Sequence, residues 1–415
     1  MHLQRWGKCP VVTWLGTPDK APQDATASYR RAIQAGVQFA GAPPESFDLC
    51  IDALLGIGAT RVPEGRMAEW IDFINANSAP VLAIDAPTGL RADNGVAAPH
   101  CIKAHHTLSL LTLKPGLFTG HGRDASGTVW IDDLQVTKTV SAKQEMILPT
   151  AWLAGAPIKA TARLHASHKG SYGDVAIVGG AAGMTGAALL AASAALHAGA
   201  GRVFVGLLDG GSLGVDPHQP ELMFRPVDAL EFSSMTVVCG CGGGDAVRAL
   251  LSRALSTSMH LVIDADGLNA IANDAQLQNL LRTRARRFPG TVLTPHPLEA
   301  ARLLDSTAAE VQSDRLASAL KIAQRYGCTV VLKGSGTIIA TPGQTPVINP
   351  TGNAKLATAG TGDVLAGAIG AGLAIGLPAF TAACDAVYVH GLSADQWPDG
   401  LPLTAITLSR SLRSL

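Results

Sequence analysis

Gly352-Asn353-Ala354-Lys355-Leu356-Ala357-Thr358-Ala359-Gly360-Thr361-Gly362-Asp363-Val364-Leu365-Ala366-Gly367 is the stretch on which the reading turns. A polar, glycine-rich loop gives way at Gly360-Thr361-Gly362-Asp363 to small apolar residues, and the run over 364–375 predicts a buried helix. Glycines let backbone N–H groups approach a ligand closely, and the helix N-terminus adds partial positive charge, so the junction suits a phosphate. Beside a bound anion the carboxylate of Asp363 is a poor structural choice and a good general base. The plainer alternative is a helix N-cap, since Thr and Asp are favoured in the first turn of any helix.

Around this stretch lie 415 residues with 45 glycines, 47% hydrophobic and 15% charged, the composition of an α/β chain of two domains with buried strands and tight turns. Lys and Arg (32) balance Asp and Glu (32), which leaves no global field to hold nucleic acid or an anionic membrane. The seven cysteines are scattered, with Cys239 and Cys241 the one close pair, and read as buried thiols of a reducing compartment before they read as metal ligands. No signal-peptide core opens the sequence, and no stretch of about 20 residues is apolar enough to span a membrane, so the expected location is the cytoplasm.

Up to about residue 136, short apolar runs at 11–14, 49–52, 81–85, 107–111 and 128–131 alternate with helical patterns at 25–36 and 67–77, the order expected of a parallel sheet with covering helices. Two of these strands end in acids followed by glycine-rich turns, Asp52-Ala53-Leu54-Leu55-Gly56-Ile57-Gly58 and Asp85-Ala86-Pro87-Thr88-Gly89. Carboxyl ends of parallel strands are where open sheets bind ligands, so both acids are expected in one crevice. Residues 137–163 lack sustained periodicity and carry Pro149 and Pro157, which suggests a linker at 141–163 between domains at 1–140 and 164–415.

The second domain repeats strand, glycine-rich turn and helix. Strands at 175–178, 236–239, 261–263, 291–293 and 329–332 each deliver chemistry at the carboxyl end: Gly179 to Gly186, Gly240-Cys241-Gly242-Gly243-Gly244, Asp264-Ala265-Asp266, Thr294-Pro295-His296-Pro297 and Lys333-Gly334-Ser335-Gly336-Thr337. Lys333 and the following backbone offer a cation with amide donors, Gly362 adds another amide, and Gly240 to Gly244 permit close approach, a set suited to a phosphate-rich ligand. No Walker loop or protein-kinase motif set is present. His296 is either a hydrogen-bonded turn residue or a substrate contact, while Asp264 and Asp266 suit a helix cap or a magnesium ion held through water.

The first part resembles the N-terminal, epimerase domain of the NAD(P)H-hydrate repair proteins, a Rossmann-like fold. That resemblance implies Asp52 and Thr88 as potassium ligands. It also implies Gly56, Ile57, Gly58, Ala59, Thr60, Arg61 and Asp85 as contacts to the hydrated nicotinamide nucleotide. The chain lacks the family's opening helical segment and Asn-Asn-Gly-Gly-Asp-Gly phosphate loop, and His105-His106 stand where the family tends to place an acid. The expectation is a partial domain without its first strand, its epimerase activity lost or impaired and its edge covered by another subunit of a homo-oligomer.

The second part is similar, motif by motif and in order, to the ribokinase-like, three-layer α/β/α ADP-dependent NAD(P)H-hydrate dehydratases. The likeness implies that Ala187, Gly242, His296 and Asp363 contact the hydrate, with Asp363 the catalytic base. Lys333, Gly334, Ser335, Gly336, Thr337 and Gly362 are implied to hold the adenine nucleotide, ADP, with magnesium on its phosphates. Leu298, where the family commonly has Gly, and Ala354-Lys355, where it commonly has Pro-Gly, are departures, and Lys355 brings a cation near the nucleotide. Two other readings share the site: a ribokinase-like kinase for a small vitamin precursor, and a non-catalytic nucleotide-binding scaffold.

Overall fold

A computed structural model describes residues 1–17, 20–59, 61–136, 149–158 and 165–415. The chain divides into two compact units, Met1–Leu117 with His121–Lys143, and Phe118–Gly120 with Gln144–Leu415.

In the first unit, β1 (Val11–Thr13) and β2 (Gln38–Ala40) pair in parallel across the helix Gln23–Gln34. A second parallel sheet runs in the order β3 (Cys50–Asp52), β4 (Val81–Ile84), β5 (His106–Leu110), β6 (Thr128–Asp132). The crossover helix Arg66–Ala76 turns Ile71 and Ile74 onto Val81, Ala83, Ile102 and Ala104. Spacing of three along that helix and two along β4 brings these side chains to one small core. Every expected strand is found within a residue or two; β2 is the addition, and its half-exposed Gln38-Phe39-Ala40 carries no apolar alternation to announce it.

The second unit holds β7 (Trp152–Leu153), β8 (Asp174–Gly179), β9 (Arg202–Leu207), β10 (Met223–Phe224), β11 (Thr236–Cys239), β12 (His260–Ile263), β13 (Gly290–Leu293), β14 (Thr329–Leu332), β15 (Ile338–Ala340) and β16 (Val347–Ile348). They form one sheet, ordered β10-β9-β8-β11-β12-β13-β14-β15-β16-β7. From β10 to β14 all neighbours are parallel, and β15 reverses against β14 and β16. Strand β8 explains the layering, because Val175 and Ile177 join one apolar cluster while Ala176 and Val178 join the other. A strand buried on both faces needs helices on both. Helices Thr185–His197, Thr361–Ala374, Ala379–Asp395 and Ala405–Ser411 cover the first face; Val247–Thr257, Ala265–Ala272, Ala275–Ala285, Pro297–Leu304 and Arg315–Tyr326 cover the second. The three-layer α/β/α architecture expected for this part is the one found.

The segment 141–163, expected as a linker, carries β7, which extends the sheet beyond β16. Two residues are too few to show a period. Residues 141–148 and 159–163 of that segment lie outside the described residues.

Candidate active site

The site of the second unit is built at one sheet edge, where the carboxyl ends of β8, β11, β12, β13 and β14 meet the start of the helix Thr361–Ala374. That helix is apolar around its circumference, with Val364, Ala366, Ile369 and Ala371 fully buried, so it lies between sheet and outer helices. It begins at Gly360, whose φ of 89° is a left-handed conformation that an L side chain rarely adopts. No side chain caps the helix, so the plain capping role weighed for Thr361 and Asp363 is not what the first turn shows. Thr361 instead donates its hydroxyl to the carbonyls of Leu356 and Thr358, at 3.0 and 3.1 Å.

Asp363 sits in that first turn, half-buried, and its carboxyl pKa is pushed up to about 6 by burial first and then by the charge of Asp264. Cys241 and Lys333 oppose the shift, the thiol as a hydrogen-bond partner and the ammonium as a charge. Cys241, Asp264 and Asp363 bring one ligand atom each within 4.8 Å of one another. The cation beside them is Lys333, whose Nζ donates to Asp264 Oδ1 at 2.7 Å and lies 4.0 Å from Glu299 Oε2. Burial disfavours the Lys333 charge, but Asp264 and Glu299 more than offset it and its pKa is raised. A side chain added at Gly362 would come 3.3 Å from Lys333 Nζ, so the ammonium stands at the amide end of the helix.

Asp264 occupies the N-cap position of the helix Ala265–Ala272, yet its side chain makes no cap bond and binds Lys333 and Thr294 Oγ1 instead. Of the roles weighed for Asp264, side-chain capping is therefore not realised. Asp266 accepts from the Gly244 amide at 2.8 Å and closes the turn after β11. In that turn Gly242 has φ 57°, and a Cβ there would fall 2.9 Å from Ala187 Cβ. The structure thus brings Gly242 and Ala187 side by side.

His296 caps the helix Pro297–Leu304, its Nδ1 accepting from the amides of Leu298 and Glu299 at 3.1 and 3.3 Å, while Glu299 returns a bond to the His296 amide at 2.8 Å. Glu299 is 3% exposed, and burial pushes its pKa up to about 7 against the pull of Lys333. Burial and then Lys333 lower the pKa of His296.

The loop Lys333 to Thr337 turns away from β14 with Gly334 and Ser335 exposed, Thr337 bonding the Gly334 carbonyl at 3.1 Å. Arg315, 1% exposed, holds it from beneath by donating to the carbonyls of Leu332 and Lys333 at 3.2 and 3.1 Å. The Gly352-Asn353 turn is tied to Asp395 through the Gly352 amide and Asn353 Nδ2, at 2.8 and 2.9 Å. Lys355, expected to bring a cation near the nucleotide, is paired with Asp399 at 2.8 Å and bonded to the Trp397 carbonyl. Three contributors were not legible beforehand: Arg315, His390, whose Nε2 donates to the Thr361 carbonyl at 2.9 Å, and the tie from Asp395. Each reaches its partner across many residues of chain, whereas Cys241 stood within the Gly240 to Gly244 turn already singled out.

In the first unit, Asp52 and Thr88 are brought together as expected. Asp52 is buried and accepts from Thr88 Oγ1 and the Thr88 amide, both at 2.7 Å, and burial raises its pKa against those bonds. Gly56 lies beside Asp85, a Cβ there reaching 4.0 Å from Asp85 Oδ2. Gly56, Ile57, Gly58, Ala59 and Arg61 are exposed, and Thr60 lies outside the described residues. Asp85, with φ 72°, is ion-paired to Lys114, a partner 29 residues away that the sequence did not reveal.

Sheet order, helix layers and an acid beside an uncapped helix start define a ribokinase-like enzyme fold. A family described as NAD(P)H-hydrate dehydratase matches residues 175–412, and the YjeF-related N-terminus matches residues 1–116. The chain belongs to the NAD(P)H-hydrate dehydratase family. It is 35% identical over 390 residues to the bifunctional NAD(P)H-hydrate repair enzyme Nnr of Escherichia coli (strain K12), covering 90% of this chain and 72% of that protein. With the ADP-dependent (S)-NAD(P)H-hydrate dehydratase of Neisseria meningitidis serogroup B it shares 46% identity over 241 residues, 56% of this chain and 80% of that one. Among solved structures, the ADP/ATP-dependent NAD(P)H-hydrate dehydratase of Bacillus subtilis, co-crystallised with ATP and Mg2+, matches with a TM-score of 0.52 and 31% identity over 60% of this chain and 90% of that chain.

Proposed function

We propose that the second unit dehydrates the S form of hydrated NADH or NADPH with ADP as phosphoryl donor, releasing AMP and inorganic phosphate. The observation that carries this is the Asp363 carboxyl, with its pKa of about 6, in the uncapped first turn of a helix with Lys333 alongside. At neutral pH Asp363 is ionised and accepts the proton of the substrate hydroxyl. The hydroxyl oxygen attacks the terminal phosphorus of ADP, and AMP leaves with the electrons of the broken P–O bond. The Gly360 to Gly362 amides and Lys333 face the negative charge that grows on the transferring group. The ring nitrogen then expels phosphate by breaking the ring C–O bond, and loss of a proton from the neighbouring ring carbon restores the dihydronicotinamide.

The remaining roles follow the same reading. Ala187, Gly242, His296 and Asp363 line the hydrate side, and Lys333 to Thr337 with Gly362 line the nucleotide side. Magnesium fits this edge, because the bonds of Asp264 fall on Oδ1 and leave Oδ2 without a hydrogen bond among the described residues, open to a water of the ion's shell. When bound, the ion neutralises phosphate charge. In the first unit a potassium ion fits beside Asp52 and Thr88, where a buried carboxylate accepts, among the described residues, from neutral donors alone. Gly56, Ile57, Gly58, Ala59, Arg61 and Asp85 would face the hydrated nucleotide there. We place the protein in the cytoplasm, as a homo-oligomer, with its seven cysteines reduced.

An oxygen tracer tests the reaction. Hydrate carrying 18O in its ring hydroxyl, supplied with ADP and magnesium, should yield inorganic phosphate bearing the label, because that oxygen leaves with phosphorus. A stable phosphorylated product with no phosphate release would assign the site to a small-molecule kinase, and unlabelled phosphate would mean simple ADP hydrolysis.

A further inference from the structure

We propose that His296 recognises its ligand solely as a hydrogen-bond donor, through Nε2–H, because capping the helix Pro297–Leu304 locks the imidazole in one tautomer. This deepens the functional reading above and rests on it for the identity of the ligand, though not for the tautomer.

The lock comes from the backbone. Nδ1 lies 3.1 Å from the Leu298 amide and 3.3 Å from the Glu299 amide, and both point their N–H at it. A nitrogen that accepts from two amides carries no proton, so the proton of the neutral ring is on Nε2. Adding a second proton would set an Nδ1–H against two N–H donors and break the cap; the lowered pKa of His296, caused by burial and Lys333, is in keeping. Glu299 closes the box by accepting the His296 amide at 2.8 Å, and its Oε1 lies 3.3 Å from Nε2. Beyond this contact Nε2 makes no hydrogen bond among the described residues, and 46% of the imidazole side chain is exposed whereas 4% of the Glu299 side chain is, so the Nε2 edge is the one that can serve a ligand. The residue therefore selects an acceptor oxygen, a hydroxyl, carbonyl or phosphate, and is no general base. Pro297 adds to the rigidity by fixing the first helical residue.

Two measurements on the full chain test this. In 15N-edited spectra of histidine-labelled protein at pH 7, with His296 assigned by its disappearance in His296→Asn, a protonated Nε2 and an unprotonated Nδ1 are expected. An Nδ1–H tautomer, or a doubly protonated ring, would overturn the proposal whatever the enzyme does. The second compares His296→Asn with His296→Asp, both good helix caps, of which only Asn keeps an N–H donor. Both should melt near wild type. His296→Asp should raise KM for the hydrate on the order of tenfold above His296→Asn, the scale of one hydrogen bond. Equal KM values in the two variants would contradict the donor role. Wild-type protein without turnover would instead fault the functional reading, and the spectra would still decide the tautomer.

Discussion

Asp363 carries the chemistry, and its neighbours set the pH at which it works. Its folded-state pKa is about 6 against an ordinary value of 3.8, so the base is lost as pH falls through 6. The account expects kcat to fall tenfold per pH unit below that point, which a pH–rate profile at saturating substrate checks. Asp363→Asn should lower kcat by about 10²- to 10⁴-fold while nucleotide binding, read by calorimetry, persists. The same shift has a cost in stability. Between pH 3.8 and about 6 the unfolded chain has released this proton while the folded chain still holds it, so its contribution to stability falls as pH rises through that window. Asp363→Asn should therefore melt higher than wild type at pH 7.5, with the gain shrinking towards pH 4; a constant gain would place its origin elsewhere. Asp363 was legible because a glycine-rich turn before an apolar helix is a local pattern. Its surroundings were not: Asp264 lies 99 positions away in sequence and Cys241 122, distances that only the sheet order closes.

At the scale of elements, the site depends on how closely two helices pack beneath it. A Cβ on Gly367 would lie 2.0 Å from the carbonyl oxygen of Ala191, so Thr361–Ala374 meets Thr185–His197 backbone against backbone. Gly367→Ala should destabilise the protein by roughly 1–3 kcal/mol, the usual cost of overpacking, measured by urea denaturation. Because the helix start carries Gly362 and Asp363, kcat should drop with it. The helix itself was readable from its unbroken run of small apolar residues, and β8, β11, β12, β13 and β14 from short apolar runs that end in turns carrying glycine, proline or an acid. Strands β2 and β7 were not, because three and two residues hold no period and only their partners make them strands.

For the whole molecule, the first unit has two parallel sheets and the second has one, and each unit has its own acid-lined turns. Among the described residues no helix is long and apolar enough to cross a membrane. Thr88→Val removes the hydroxyl that donates to Asp52 Oδ1 at 2.7 Å and accepts from the Leu55 amide. That change should destabilise the first unit by about 1–3 kcal/mol while leaving kcat/KM for S-form hydrate unaltered, checked by calorimetry and steady-state rates on one preparation. The general plan was legible since acids and glycines recur at successive strand ends in both halves, a concentration that turn propensity does not produce. Pairings such as Asp85 with Lys114 escaped it, because charge composition says nothing about which residues meet.

The most direct measurement follows two signals at once in the purified full chain given S-form NADH hydrate, ADP and magnesium: absorbance of the dihydronicotinamide band and inorganic phosphate. The account predicts that both rise together, one phosphate per NADH, only when ADP is present, and that Asp363→Asn slows both by the same factor, about 10²- to 10⁴-fold. Recovery of NADH without ADP, or no recovery by protein that binds the nucleotide, would contradict it.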